Sequence, residues 1–308
     1  MKKLKKKKIL ITGALGQDGI ILSKLLKKRN YDVLGWIKNT KTINSKINKI
    51  KYQKINLLKK KEVNYNINYY KPDFVVHFGS NNPSFNERIH KKKDFNSNNK
   101  LGCINLINSI LDLKLKTIFI FANSSQIYFS QNMIRVNEKS IVKKSSSYTS
   151  FRIDVLEYLK KIKKKHNFKF INLSLFNHDS IYRNNKFLIP RLIKAFKNND
   201  IKFLNKIYNE NISSDFSHAE DICEAIYLLI KRKILIDNLI LSSGKLTKIN
   251  DIIYYLIENY PNKIILKHKK VFEKKGLIGN NSLSKKILKW KPKKNIYDAV
   301  DEIYNLKI

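Results

Sequence analysis

The stretch Lys8-Ile9-Leu10-Ile11-Thr12-Gly13-Ala14-Leu15-Gly16-Gln17-Asp18-Gly19 decides the fold. A short apolar run ends in a glycine-rich turn, and Ile20–Lys28 then carries apolar residues at helical spacing, at Ile21, Leu22, Leu25 and Leu26. Glycines at a strand-to-helix junction let the backbone turn tightly. They also bring it close to a pyrophosphate, which rests on the free N–H groups of the helix N-terminus. Three glycines alone also describe an ordinary turn. Their place at the first such junction is what points to a dinucleotide.

Outward from this turn the pattern repeats. Tyr31–Ile37 reads as a second strand, while Phe74–Phe78, Thr117–Ala122 and Phe170–Leu175 are apolar runs of the kind covered on both faces of a parallel sheet. Leu101–Leu111 carries a helical stripe through Ile104, Ile107 and Leu111, and Tyr148–Lys165 reads as another helix. Strand and helix alternating at this spacing predict an α/β fold built on a doubly wound parallel sheet. Residues 1–175 are expected to form the cofactor-binding domain, with a return to it near 215–245. Beyond Phe176 the pattern loosens into Asn-rich loops and helices near Pro190–Lys197, Ala219–Lys231 and Ile249–Asn259. Residues 176–308 are therefore expected to form mainly a smaller C-terminal lobe that binds substrate, at the strand ends where such sheets take ligands.

The chain has 308 residues, of which 63 are Lys or Arg and 24 Asp or Glu, for a net charge of +39. With 43% hydrophobic residues it can bury a large core. No apolar run approaches the roughly 18 residues that span a bilayer. Met1–Lys8 resembles the basic start of a signal peptide, but the following apolar stretch breaks at Gly13, so export is not expected. Two distant cysteines, Cys103 and Cys223, exclude a disulfide framework and metal-ligand spacing, and fit a reducing cytoplasm. The charge alone suggests nucleic acid. However, Lys is 56 and Arg only 7, with Ile 45 and Asn 37, the composition of A/T-rich codons. A base-reading surface favours Arg, so no specific nucleic-acid partner is expected.

Two further features carry chemistry. The second strand ends Gly35-Trp36-Ile37-Lys38-Asn39, without the acidic residue that binds an unmodified adenosine ribose. Lys38 and Lys41 could take a 2′-phosphate instead, so the expected cofactor is NADP, with NAD as the alternative. Ser124 and Ser125 follow the strand Thr117–Ala122, and Tyr148 opens a helix with Arg152 four residues on, on the same face. A Tyr hydroxyl beside a fixed cation can exchange a proton with a substrate alcohol or ketone, and a nearby Ser can donate to the same oxygen. Tyr-x-x-x-Arg is also a common structural helix pair.

These residues resemble the extended short-chain dehydrogenase/reductase (NAD-dependent epimerase/dehydratase) family, a Rossmann family, and within it most of all the GDP-mannose 4,6-dehydratases. The likeness is carried by Ile11-Thr12-Gly13 to Gly19, Lys71-Pro72-Asp73 and His77-Phe78-Gly79-Ser80. It continues in Ala122-Asn123-Ser124-Ser125-Gln126-Ile127-Tyr128, Phe176-Asn177-His178-Asp179-Ser180 with Arg183, and Asp215 to Asp221. Gly279-Asn280 and Lys289-Trp290-Lys291-Pro292 close it. The resemblance implies a nucleotide-diphosphate sugar, GDP-linked, as substrate, a homo-oligomer and no membrane. Hydride transfer at carbon 4 would give a 4-keto sugar, with Tyr148 as acid/base and Ser124 polarising the same oxygen. It implies Gly13, Gly16, Gln17, Asp18 and Gly19 around the pyrophosphate and Lys38 at the 2′-phosphate. Asn56 and Leu57 fall near the adenine, and Gly79 and Ser80 near the ribose and nicotinamide. His178 and Arg183 fall at the nicotinamide end. Ser125, Asn177 and Asn209 fall on the sugar nucleotide, with Lys270 and Glu273 loosely on its base. No metal is implied.

Three departures limit this implication. Arg152 stands where the family has the Lys that holds the cofactor ribose, and its planar fork hydrogen-bonds differently. Gln126 replaces the Glu that takes the carbon-5 proton, and an amide is no base at neutral pH. Ser214 replaces an Arg that contacts the diphosphate. A 4-ketoreductase, a 4-epimerase or a catalytically impaired binding homologue are therefore the alternatives, and Glu138 and Asp179 are the carboxylates to inspect as substitutes for Gln126.

Overall fold

The computed structural model describes residues 6–38, 50–80, 94–129, 134–262, 264–267 and 271–306. In chain order the first elements are β1 (Lys8–Thr12), α1 (Gln17–Lys28), β2 (Asp32–Ile37), β3 (Lys51–Lys54), α2 (Lys60–Tyr70) and β4 (Phe74–His77). Next come α3 (Asp94–Asp112), β5 (Ile118–Ser124), β6 (Arg135–Val136), α4 (Ser147–His166), β7 (Phe170–Leu175) and β8 (Asn177–Asp179). Then follow α5 (Leu188–Lys197), α6 (Ile201–Glu210), β9 (Ile212–His218), α7 (Ala219–Arg232) and β10 (Asn238–Leu241). The chain closes with β11 (Leu246–Lys248), α8 (Ile249–Asn259), β12 (Lys274–Lys275), β13 (Ile278–Gly279), α9 (Ser282–Leu288) and α10 (Ile296–Tyr304).

The central sheet has seven strands in the order β10-β7-β5-β4-β1-β2-β3. It is parallel, as the apolar runs require, since strands covered by helices on both faces cannot show an alternating pattern. Every residue of β4 and β7 is buried, as are Ile9–Thr12 of β1. Register aligns the strand ends: Thr12 lies beside Trp36 and His77, and His77 beside Phe121. The carboxyl edge of the sheet thus carries the glycine turn, the Gly79–Ser80 turn and Ser124 together, the edge at which such sheets bind ligands.

Contacts divide the chain into two units. One holds Met1–Phe129, Ile141–Ser174 and Cys223–Leu239. The other holds Ser130–Ser140, Leu175–Ile222 and Ile240–Ile308. Residues 134–140 group with the second unit because β6 pairs with β13, with Ile278 beside Arg135.

The second unit has its own small sheet, which the loosened pattern did not reveal. Strand β9 is its centre, flanked by antiparallel β11 and parallel β12, and also pairing in parallel with β8. The strand reads Ile-Ser-Ser-Asp-Phe-Ser-His, too polar to look buried, yet Ser213, Asp215, Ser217 and His218 are all enclosed. Apolar faces of α5, α8 and α10 form the core beside it, through residues such as Leu192, Phe196, Ile253 and Val300.

Candidate active site

The cofactor turn is held by backbone geometry. Gly13 has φ +69°, a left-handed value that favours glycine, and Gly13 N–H and Ala14 N–H both donate to Trp36 O (3.1 and 3.3 Å). A Cβ on Gly13 would lie 2.9 Å from Gly79 N, and one on Gly19 would lie 2.7 Å from Ala14 Cα. Neither neighbour can move aside, because both are backbone. Gly16 is the N-cap of α1 and offers no side-chain cap. The first turn of α1, the positive end of its dipole, thus opens directly onto the glycine turn, an arrangement that favours an anion. This cradle fits a dinucleotide pyrophosphate. Gln17 lies buried in it and donates from Nε2 to Asp18 Oδ1 (3.2 Å).

Around the turn, Lys38 follows β2 and is exposed, whereas Lys41 lies outside the described residues. Asn56 is exposed and makes a local turn, its Oδ1 accepting from Leu58 N–H (3.1 Å). Leu57 O accepts from Asn105 Nδ2 (2.9 Å), which fixes this loop to α3.

The second cluster lies at the ends of β4 and β5. Ser124 ends β5 and its Oγ accepts from Gln126 N–H (3.2 Å), so the segment Ser125–Ile127 forms one tight helical turn. Ser125 is half-buried, and Gln126 is exposed. Helix α4 starts from the N-cap Ser146, which forms a reciprocal pair with Thr149. This cap places Tyr148 in the first turn, 4% exposed, and Arg152 one turn deeper, also 4% exposed. Arg152 Nη1 donates to Ala122 O (2.9 Å) and Nη2 to Ser80 Oγ (3.3 Å), while its Cζ lies 4.5 Å over the Tyr148 ring. Arg152 thus joins three strand and helix ends beneath the tyrosine and carries a fixed charge there. Its Nε has no hydrogen-bond partner among the described residues.

Sequence reasoning missed one member of this cluster. His77, 2% exposed, bonds through Nδ1 to Thr12 Oγ1 (2.7 Å), and Thr12 Oγ1 also accepts from Gly79 N–H (3.1 Å). Burial first, and the charge of Arg152 second, hold His77 down to about 3, so it is neutral. A histidine ending an apolar run was the available signal.

The remaining candidates lie in the second unit. His178 is buried, with Nδ1 bonded to Phe176 O (2.6 Å). Arg183 Nε pairs with Asp179 Oδ1 (3.3 Å) and its Cζ lies 3.8 Å over Phe187. Asn177 Nδ2 donates to Ser214 Oγ (2.7 Å), so the two side chains form one polar pair. Asn209 donates to Asn205 O (2.7 Å) and Lys267 O (2.9 Å), tying α6 to the segment at 264–267. Glu273 is half-buried beside β12, and Lys270 lies outside the described residues. Neither carboxylate considered as a substitute for Gln126 is uncommitted: Glu138 Oε1 accepts from Ile240 N–H (3.0 Å), and Asp179 faces Arg183.

The segment Asp215–Asp221 serves the fold. Asp215, fully buried, accepts from Ser243 N–H and Oγ, Gly244 N–H and Gly279 N–H (2.6–3.1 Å). Desolvation nevertheless raises its pKa, the hydrogen bonds opposing in part. Asp221 Oδ2 accepts from Lys293 N–H and Lys294 N–H, which docks the Trp290-Lys291-Pro292 turn. Among the described residues no group of three or more His, Cys, Asp or Glu could hold a metal ion.

A family model described as GDP-mannose 4,6 dehydratase matches residues 10–303. The chain belongs to this family. It is 23% identical to the GDP-mannose 4,6 dehydratase of Dictyostelium discoideum, covering 97% of this chain and 95% of that one. It is 24% identical to the UDP-glucose 4-epimerase of Mycoplasma genitalium, covering 97% and 96%. The solved UDP-glucose 4-epimerase of Thermotoga maritima, with UDP-glucose, superposes with a TM-score of 0.80 at 15% identity, covering 96% of this chain and 98% of that one. That of Thermus thermophilus, in complex with NAD, gives 0.80 at 15% identity, covering 97% and 100%. At these identities the structural likeness establishes the fold, and this GDP-mannose 4,6-dehydratase family member shares its doubly wound sheet with the epimerases.

Proposed function

We propose that the chain is a nicotinamide-dinucleotide-dependent enzyme that acts at carbon 4 of a nucleotide-diphosphate sugar, GDP-linked, as the family suggests. The observation that carries this is the charge of Arg152, fixed 4.5 Å over the ring of a buried Tyr148 at the same sheet edge as the uncapped glycine turn. Bound there, the dinucleotide supplies a hydride acceptor or donor. Gly13, Gly16, Gln17, Asp18 and Gly19 hold its pyrophosphate, with Asn56 and Leu57 at the adenine and Gly79 and Ser80 at the ribose and nicotinamide. Lys38, exposed at the end of β2, favours NADP over NAD by its charge. His178 and Arg183 serve the nicotinamide end, and Ser125 and Asn177 the sugar nucleotide. Asn209 also falls on the sugar nucleotide, and because its Nδ2 donates to two main-chain carbonyls, its contact there is through Oδ1. Tyr148 moves the proton of the sugar hydroxyl, and the Arg152 charge stabilises the phenolate left behind. Ser124 keeps a hydroxyl hydrogen to give to the same oxygen, since its bond to Gln126 N–H uses only a lone pair.

A second reading, 4-epimerase or 4-ketoreductase, is favoured by one observation. Residue 126 is an exposed amide, and both Glu138 and Asp179 are committed elsewhere, whereas eliminating water across carbons 5 and 6 needs a base. A homo-oligomer in the cytoplasm completes the proposal, and the two buried cysteines, outside any disulfide, suit that compartment. Incubation with GDP-mannose and UDP-glucose, each with NADP or NAD, tests it by mass spectrometry of the product. A sugar lighter by one water supports dehydration, and an isomer, or a 4-keto sugar lighter by two hydrogens with reduced cofactor formed alongside it, supports the second reading. Dinucleotide binding without turnover of any nucleotide sugar would overturn both.

A further inference from the structure

His77 is a buried polar group that this chemistry leaves unused. It ends β4 between Thr12 and Phe121, and its ring lies nearly parallel to those of Phe119 and Phe121, at 28° and 20°. A sheet-core position walled by phenylalanines suits an apolar side chain, and an imidazole there costs desolvation unless it is hydrogen-bonded. Its bond is to Thr12 Oγ1, which stands at a junction. That oxygen accepts Gly79 N–H, the neighbouring Ser80 Oγ accepts from Arg152, and Arg152 lies over Tyr148. His77 Nε2 has no hydrogen-bond partner among the described residues, so its anchoring runs through Nδ1.

We propose that His77 is a positioning residue: by holding the Thr12 hydroxyl in one orientation, it fixes the Gly79–Ser80 turn and, through Ser80, the guanidinium beneath Tyr148. A Thr hydroxyl has one hydrogen and two lone pairs. With Gly79 N–H alone it keeps a rotor in the core with an unmet bond, and the turn loses a rigid support. In the His77 tautomer whose Nδ1 accepts the Thr12 hydroxyl hydrogen, both requirements are met and the rotamer is set. The link to Tyr148 rests on the enzyme reading above, whereas the anchoring of Gly79 does not.

His77→Phe keeps the ring between Phe119 and Phe121 and removes Nδ1, while His77→Asn keeps a polar group near the Nδ1 position. Hydrogen–deuterium exchange of the peptide containing Phe78–Ser80 should speed up by about tenfold in His77→Phe, the factor expected for one buried hydrogen bond. It should return towards the wild-type rate in His77→Asn. Thr12→Val should reproduce the effect, Thr12→Ser should exchange like the wild type, and the Thr12→Val/His77→Phe double variant should be no faster than either single one. In turnover, His77→Phe should lower kcat and leave KM for the sugar nucleotide unchanged, with recovery in His77→Asn. Unchanged exchange at Phe78–Ser80 in His77→Phe, or additive effects in the double variant, would overturn the proposal. Should His77→Phe fail to fold, His77→Met, an apolar side chain of similar volume without Nδ1, decides by the same measurement. Absence of turnover in the wild type would remove the enzyme reading and leave the exchange result to stand alone.

Discussion

Arg152→Met keeps most of the side chain's length while removing its charge and its donors. The guanidinium carbon lies 4.5 Å over the Tyr148 ring. With the phenolate charge placed at the ring centre and an effective dielectric of about 20, a unit charge at that separation interacts with a full phenolate by about 3.7 kcal/mol. With roughly half the negative charge formed at the transition state, its removal costs about 2 kcal/mol, or about thirtyfold in rate. Two effects on stability oppose each other. Ala122 O and Ser80 Oγ lose a donor, a cost of roughly 1–3 kcal/mol, but a buried charge is also relieved. The assay is single-turnover hydride transfer followed by nicotinamide absorbance, with cofactor and sugar both saturating and thermal unfolding measured alongside. Arg152→Lys, a point charge without the fork, should fall between wild type and Met. A rate within about threefold of wild type for Arg152→Met at full occupancy would refute the electrostatic role, since it leaves less than about 0.7 kcal/mol for it.

Three other outcomes follow from the same geometry. Gly19→Ala sets a Cβ 2.7 Å from Ala14 Cα and should weaken dinucleotide binding by about tenfold or more, while Gly16→Ala, at 3.2 Å from Gly13 O, should be milder; calorimetry separates the two. The native pKa of His77, about 3, lies below the ordinary 6.5, so the native state refuses a proton that the unfolded chain accepts. Its contribution is complete above pH 6.5 and is lost as the pH falls towards about 3, by up to about 1.4 kcal/mol per pH unit. Urea unfolding across that window should give a shallower slope in His77→Phe, and equal slopes would contradict the shift. Asp215→Ala strands the donors of Ser243, Gly244 and Gly279 and should lower unfolding stability by roughly 3 kcal/mol or more in chemical denaturation.

Elements whose stability comes from their own periodicity were legible: β1, β4 and β7 as apolar runs, α4 and α8 as amphipathic helices. Strand β3 was not, because Lys51–Lys54 lies at the sheet's edge, keeps its side chains largely in water and needs no apolar pattern. Helix α2 was missed for a related reason: it buries only Val63, Asn66 and Ile67. Strand β9 escaped because hydrogen bonds, rather than apolar side chains, satisfy its interior. Among the functional residues, Tyr148 and Arg152 were visible as a helical pair four apart. What Arg152 touches was not, since its acceptors sit 30 and 72 residues away.

The sequence by itself determined the glycine turn, the strand–helix alternation and the spacing of Tyr148 and Arg152, because each depends on backbone conformation or periodicity within a few residues. Tertiary structure alone decided what these groups face. The Thr12–His77 bond joins residues 65 apart, and Gly279 reaches Asp215 across 64. The first exists only once parallel strands fix their register and bring their ends to one edge, the second only once two separate small sheets pack together. The same packing leaves Gln126 in water while committing Glu138 and Asp179 to other partners, and this bears most directly on which reaction the site performs.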